Sequence, residues 1–273
     1  MRFLPYFFLS VAALFGQKIT ETVPLPMALN ETSGLATLNG HLLTQNDSGG
    51  QPSLYEFNSQ GILLNTYPIE KAKNKDWESL AQDDRFLYVG DHGNNKASRK
   101  DLKIYKIQWN GTFFETIGEI RFRYGLQQRF EKRNRNAFDA EGLVALGNVL
   151  LLFSKNRLTQ DTEVYEIPKV VGDYELYPKT VVSVNSLITG ADYDQKSKVL
   201  ALTGYSFDGI QYLYRVKNFD AATLNFEGLE KVEIPYPNAQ IEAVKVIDAH
   251  HFWVTSEEEQ TYRQPVLLKI DWQ

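Results

Sequence analysis

Glu78, Glu141 and Glu242 sit in short phrases of one shape: Trp77-Glu78-Ser79-Leu80, Ala140-Glu141-Gly142-Leu143 and Ile241-Glu242-Ala243-Val244. Two further copies carry a hydroxyl in the same place, Thr32-Ser33-Gly34-Leu35 and Ile188-Thr189-Gly190-Ala191. Three carboxylates around one narrow opening repel each other, so they need a cation, hydrogen-bond donors or raised pKa values to coexist. Calcium suits them, because it takes roughly six to eight oxygens at about 2.4 Å and tolerates irregular ligand sets. Glu78, Glu141 and Glu242, with Ser33, Thr189 and water, form the expected Ca²⁺ set. The structural alternative is that each glutamate accepts strand N–H bonds and recurs only because the unit recurs. Zinc fits less well, since the chain has no cysteine and four histidines, two of them adjacent at His250-His251.

Two more series follow downstream: Asn46, Asp91, Ser154, Gly204 and Ser256, then Asp47, His92, Lys155, Tyr205 and Glu257. His92 and Lys155 are expected as counter-charges that orient an anionic substrate, with Glu141 as a catalytic carboxylate. Asp47, Asp91, Tyr205, Glu257 and Arg99 are the expected ligand contacts. The flanking stretches are basic: Lys71, Lys73 and Lys75; Lys96, Arg99 and Lys100; Arg129, Lys132, Arg133 and Arg135; Lys155, Arg157 and Arg263. An acidic centre with a basic rim suits a phosphoester bridged to the protein through a metal. The alternative for the rim is a solvated loop surface. Trp77, Tyr205 and Tyr262 would serve a third reading, carbohydrate stacking, although Trp77 also reads as core between strands.

Asn46-Asp47-Ser48-Gly49-Gly50 looks like a trypsin-type nucleophile loop, but its counterpart in the next unit is Asp91-His92-Gly93-Asn94-Asn95. It is therefore a repeat element without the His and Asp partners that a triad requires. The chain also lacks a Gly-x-Ser-x-Gly elbow, a phosphate loop and a dinucleotide fingerprint.

The five phrases recur at intervals of about 45 to 65 residues, with strand-like runs inside each unit, which predicts a β-propeller. After each phrase comes an apolar run: Leu42-Leu43-Thr44, Leu87-Tyr88-Val89, Leu150-Leu151-Leu152, Leu200-Ala201-Leu202 or Phe252-Trp253-Val254. An alternating run follows, as in Val164-Tyr165-Glu166-Ile167 or Val266-Leu267-Leu268-Lys269-Ile270. Period-two alternation marks half-buried strands. Four units carry a fourth strand, and the fifth runs out of chain at Gln273. The missing strand is expected at the other end, Ile19 to Leu25, giving an all-β fold of five four-stranded blades closed by the N-terminal strand. A sixth, degenerate blade within residues 110–138 is the alternative. The first-to-second and third-to-fourth strand connections read as tight turns, and the other two as long polar loops, so the site is expected on the long-looped face.

Residues 1–16 read as a signal peptide, with Arg2, an apolar run and then polar Gln17-Lys18, which leaves 17–273 as the propeller domain. An uncleaved anchor is the alternative for that segment, although it is short of the roughly 20 apolar residues a span requires. Export without cysteines fits a bacterial periplasm or exterior. The 273 residues are 43% hydrophobic, with net charge −5 and a pI near 5.5. That balance argues against nucleic acid as a partner. A monomer with a small anionic ligand is expected, without a transmembrane segment once the signal is removed.

Ser33-Gly34-Leu35-Ala36 followed by Asn46-Asp47-Ser48-Gly49, Asp139-Ala140-Glu141-Gly142-Leu143, and Glu242-Ala243 with Ser256-Glu257 resemble the repeated phrases of the bacterial phytase-like, or esterase-like phytase, propellers. The resemblance spans most of residues 17–273. It implies an exported propeller and phosphoester or ester hydrolysis. The chain departs from the pattern at Thr189-Gly190-Ala191-Asp192, where the acidic phrase is replaced. A more remote likeness to calcium-dependent lactonase propellers rests on fold alone.

Overall fold

The computed structural model describes residues 16–220, 222–236, 239–257 and 264–273. Residues 1–15 of the expected signal peptide, Tyr262 and Arg263 lie outside the described residues. A first strand, β1 (Gln17–Pro24), leads through a single 3₁₀ turn (Met27–Leu29) into the first blade, β2 (Thr32–Leu38), β3 (His41–Asn46), β4 (Ser53–Phe57) and β5 (Leu63–Pro68). The second blade is β6 (Trp77–Gln82), β7 (Leu87–Asp91), β8 (Lys103–Trp109) and β9 (Phe114–Tyr124). The third is β10 (Ala140–Leu146), β11 (Val149–Ser154), β12 (Asp161–Pro168) and, after an inserted strand β13 (Gly172–Leu176), β14 (Thr180–Ser183). The fourth is β15 (Leu187–Asp194), β16 (Val199–Tyr205), β17 (Gln211–Val216) and β18 (Glu230–Glu233). The last, β19 (Ile241–Val246), β20 (His251–Ser256) and β21 (Val266–Trp272), takes β1 as its fourth strand, with Val23 opposite Leu267 and Ile19 opposite Ile270.

Consecutive strands within a blade are antiparallel, as short hairpin turns dictate. At Asn39-Gly40 both residues have positive φ, 52° and 86°, the backbone of a two-residue hairpin turn. The first strands touch in a ring: β2 with β6, β6 with β10, β10 with β15, β15 with β19, and β19 with β2. The molecule is thus a five-bladed β-propeller, closed as the repeat predicts.

Each blade is too thin to have its own interior, so the core lies between blades. Five apolar clusters fill the five interfaces. Trp77 belongs to one of them; it is fully buried, tilted against Tyr105, and its indole donates to the Lys73 carbonyl at 3.0 Å. This is the core role, which leaves no face for stacking a ligand.

Two expectations about connections are corrected. Residues 110–138 hold no sixth blade, because 114–124 form one long outer strand of the second blade and the rest is connection. Nor is every third-to-fourth connection tight. In the third blade it carries β13, which pairs parallel to β9 of the second blade, and in the fourth it runs from 217 to 229. The β9–β13 pairing sets Arg121 against Asp173 and Arg123 against Glu175, directly opposite across the ladder, and both pairs form salt bridges. Leu176 then plugs the core between these two blades.

Closure by β1 covers the edge of β21 and packs Leu25 beside Leu267. Removing residues 17–24 is expected to lower the melting temperature by at least about 10 °C, since a loss of several kcal/mol shifts a chain of this size by roughly 2–4 °C per kcal/mol. Calorimetry checks it, and a truncated chain melting like the full one would contradict a stabilising closure.

Candidate functional site

The five inner strands all break register at the same place. β2 shifts between Thr32 and Leu35, β6 between Trp77 and Ser79, β10 between Ala140 and Gly142, β15 between Ile188 and Gly190, and β19 between Ile241 and Ala243. The residues passed over are Ser33 with Gly34, then Glu78, Glu141, Thr189 and Glu242. A bulge leaves its residue outside the ladder and re-aims the side chain. The repeated phrase is therefore a repeated bulge, and all five side chains at this position are at most 4% exposed.

The hydroxyl members join neighbouring blades. Ser33 Oγ donates to the Glu78 carbonyl at 3.0 Å, and Thr189 Oγ1 to the Ile241 carbonyl at 2.6 Å. His92 makes a similar link. Its Nδ1 lies 2.9 Å from the Ala140 carbonyl, which can only accept, so Nδ1 carries the proton and Nε2 accepts from the Ser79 hydroxyl at 3.0 Å. Burial pulls its pKa down to about 3, which makes His92 a neutral wall residue with both nitrogens engaged.

Lys155 does supply a counter-charge. Its ammonium lies 2.7 and 2.6 Å from the two oxygens of Glu141, with both side chains buried, and 5.0 Å over the Tyr205 ring. Burial works against the Lys155 charge, but Glu141 and then Glu242 outweigh it and hold the pKa well above its ordinary value. Arg99 and Asp91 are bound to one another, Nη2 to Oδ1 at 2.8 Å, while Arg99 Nη1 donates to the Gly93 carbonyl at 2.9 Å. Other rim cations are engaged too: Lys75 with Asp101, Lys96 with Asn134, Arg157 with Asp139, and Lys100 over Phe130.

The remaining carboxylates are less well served. Glu78 Oε1, Glu242 Oε1 and Asp47 Oδ1 are out of reach of solvent and have no hydrogen-bond partner among the described residues. Burial, then Asp76 and Glu242, push Asp47 up to about 8. Burial, then Glu242 and Asp47, push Glu257 up to about 10, although its Oε2 accepts from Gln240 at 2.8 Å. Burial, then Glu141 and Asp47, hold Glu78 well above the carboxylate range. Oxygens of Asp47, Asp76 and Glu78 come within 4.8 Å of one another.

Asp76 was not among the expected site residues, nor was Asp139. The signal was one step upstream of the phrase: Asp76-Trp77-Glu78 and Asp139-Ala140-Glu141 share an Asp two places before the Glu. In the third blade that Asp is satisfied, by the Asn94 N–H at 2.7 Å and by Arg157. In the second it turns into the acidic group, and burial, opposed by Arg99, pushes its pKa up to about 6.

The class this architecture defines is the five-bladed β-propeller with a polar, carboxylate-rich channel mouth. No model of a known protein family matches the chain. It is similar in structure to the glutaminyl cyclase of Myxococcus xanthus, at a TM-score of 0.57 and 12% identity, covering 93% of this chain and 95% of that one. It is also similar to the PQQ-bound aldose sugar dehydrogenase of Streptomyces coelicolor, at 0.53 and 11% identity, covering 94% and 98%. At these identities the likeness establishes the fold alone. In sequence, 102 residues are 28% identical to the transcriptional regulator MraZ of Mycoplasma capricolum, covering 36% of this chain and 74% of that protein. Among the described residues no helix is long and apolar enough to cross a membrane.

The raised carboxyls set a pH dependence. Folded Asp47 and Glu257 keep protons that the unfolded chain has already lost near neutrality, so stability falls as pH rises while His92 is neutral in both states. Between pH 7 and 8, in chelator, unfolding free energy is expected to drop by on the order of 1 kcal/mol. Urea titrations at the two pH values check this, and a flat or rising trend would contradict it.

Proposed function

We propose that this protein is an exported propeller that binds a small anionic ligand at the mouth of its channel through a Ca²⁺ ion, with phosphoester or ester hydrolysis as the chemistry such a site would serve. The observation that carries the reading is the pair of buried, partnerless carboxylate oxygens on Glu78 and Asp47. Buried polar atoms in native proteins have partners, and acceptors that lack donors call for a cation. An all-oxygen donor set is what a hard divalent cation takes, Ca²⁺ above all. Bound there, it would offset carboxylate repulsion and polarise a phosphoryl or carbonyl oxygen of the ligand.

Within the chain's own residues, Lys155 and Tyr205 stand beside the acidic group as the positive and aromatic side of the mouth. The resemblance to phytase-like propellers supports the hydrolytic part, and the apolar N-terminal run supports export. His92, locked in the wall, is not a base in this reading; it holds the second blade against the third. A nucleic-acid role is not carried over from the MraZ likeness, because the chain has net charge −5 and Lys75, Arg99, Lys155 and Arg157 at the mouth are each paired with an acid. The competing reading is a non-catalytic envelope scaffold, in which the glutamates are architectural and no cation is needed.

The test is the melting temperature of residues 17–273, stripped with chelator and then titrated with Ca²⁺, beside Glu78→Gln. A stabilisation of about 2.7 kcal/mol at a hundredfold excess over Kd, rising with the logarithm of the Ca²⁺ concentration, is expected for wild type, and less in the variant. Phenyl phosphate is expected to bind, and p-nitrophenyl phosphate to turn over, only with Ca²⁺ present. No Ca²⁺ response in any form would move the scaffold reading to first place.

A further inference from the structure

The three glutamates at the bulges are not equivalent, and this decides where a cation sits. Glu141 already has a cation on both oxygens, the ammonium of Lys155. Among the described residues Glu78 has none, is 4% exposed, and has its Oε1 unpartnered. The oxygens that converge with it come from Asp47 and Asp76, not from the other two glutamates. Two ligands of one Ca²⁺ lie at most about 4.8 Å apart, twice the metal–oxygen distance of roughly 2.4 Å. A span within 4.8 Å therefore suits a single ion.

We propose that the cation is held off the channel axis, between the first and second blades, by the carboxylates of Asp47, Asp76 and Glu78. This rests on the cation-binding reading above and replaces the three-glutamate set expected from the sequence with a one-sided seat. The seat is built from both sides. Asn74 Nδ2 donates to the carbonyls of Asn46 and Asp47, at 2.9 and 2.5 Å, and its Oδ1 accepts from the Trp77 N–H at 3.3 Å. One side chain thereby staples the Asp47 loop of the first blade to the strand start that carries Asp76 and Glu78.

Gly93 supplies the room. A Cβ there would collide with Glu78 Oε1 and with Asp76 Oδ2, so the two carboxylates converge only because this residue has no side chain. Arg99, 3.9 Å from Asp76, is held back by its bonds to Asp91 and to the Gly93 carbonyl. Three carboxylates from two blades with no nitrogen or sulfur donor select a hard divalent ion. The arrangement leaves Lys155, paired with Glu141 and over the Tyr205 ring, as a second and permanent cation at the mouth for an anionic ligand.

The test is isothermal titration of residues 17–273 with CaCl₂, for wild type, Gly93→Ala, Asp76→Asn and Glu242→Gln. Melting in chelator confirms that each variant is folded, and Asp76→Asn, at a partly exposed position, stands in should Gly93→Ala fail to fold. One ion per chain is expected for wild type, at least about tenfold weaker binding for Gly93→Ala and Asp76→Asn, and affinity within about threefold of wild type for Glu242→Gln. Wild-type affinity in Asp76→Asn together with loss in Glu242→Gln would put the ion back on the glutamate ring and overturn the seat alone. No binding by wild type would overturn both the seat and the reading beneath it.

Discussion

The buried pair between Lys155 and Glu141 is the interaction on which the channel mouth depends. Five inner strands converge there, and each delivers a bulged side chain that is at most 4% exposed. Three of these are carboxylates, and Asp47 and Glu257 add two more nearby. Without Lys155 the group would hold no buried cation among the described residues, and an unpaired buried charge is strongly destabilising. Lys155 neutralises one carboxylate outright and lends its field to Glu242. What it leaves over, on the side of Asp47, Asp76 and Glu78, is the unmet electrostatic demand that defines the site.

The bulge explains how a regular fold makes an irregular site. Every blade spends one residue outside its ladder at the same register, so the backbone can repeat while the chemistry differs. In the first and fourth blades the bulged residue is a hydroxyl that ties its blade to the carbonyl of the next. In the second, third and last it is a glutamate, and the environment assigns each a different part. Glu141 is half of an ion pair, Glu78 is the buried arm of an acidic cluster, and Glu242 stands with Glu257. The inter-blade cores fix the distance over which these parts act, and close-packed interiors leave little freedom to change it.

The fold was legible because its determinants are local and repeated. Alternating strands, hairpin turns such as Asn39-Gly40, and a fourth strand missing at one end and present at the other all lie in short stretches of chain. The inserted strand β13 was not, because residues 172–176 are marked as a strand only by their partner on the neighbouring blade. The core role of Trp77 was legible too, since an aromatic beside a buried strand position is ordinarily packed.

The amino-acid sequence by itself determined the five-bladed closed ring, the recurrence of Ser33, Glu78, Glu141, Thr189 and Glu242 at one position, and the presence of Lys155 among carboxylates. Tertiary structure decided which of these groups meet. It gave Lys155 to Glu141, locked His92 between Ser79 and Ala140, bound Arg99 to Asp91, and drew Asp76 into a cluster with Asp47 and Glu78. The physical reason is that periodicity reports where a residue lies along its own blade. Charge pairing, desolvation and the room left by Gly93 are properties of the space between blades, and that space exists only once the ring has closed.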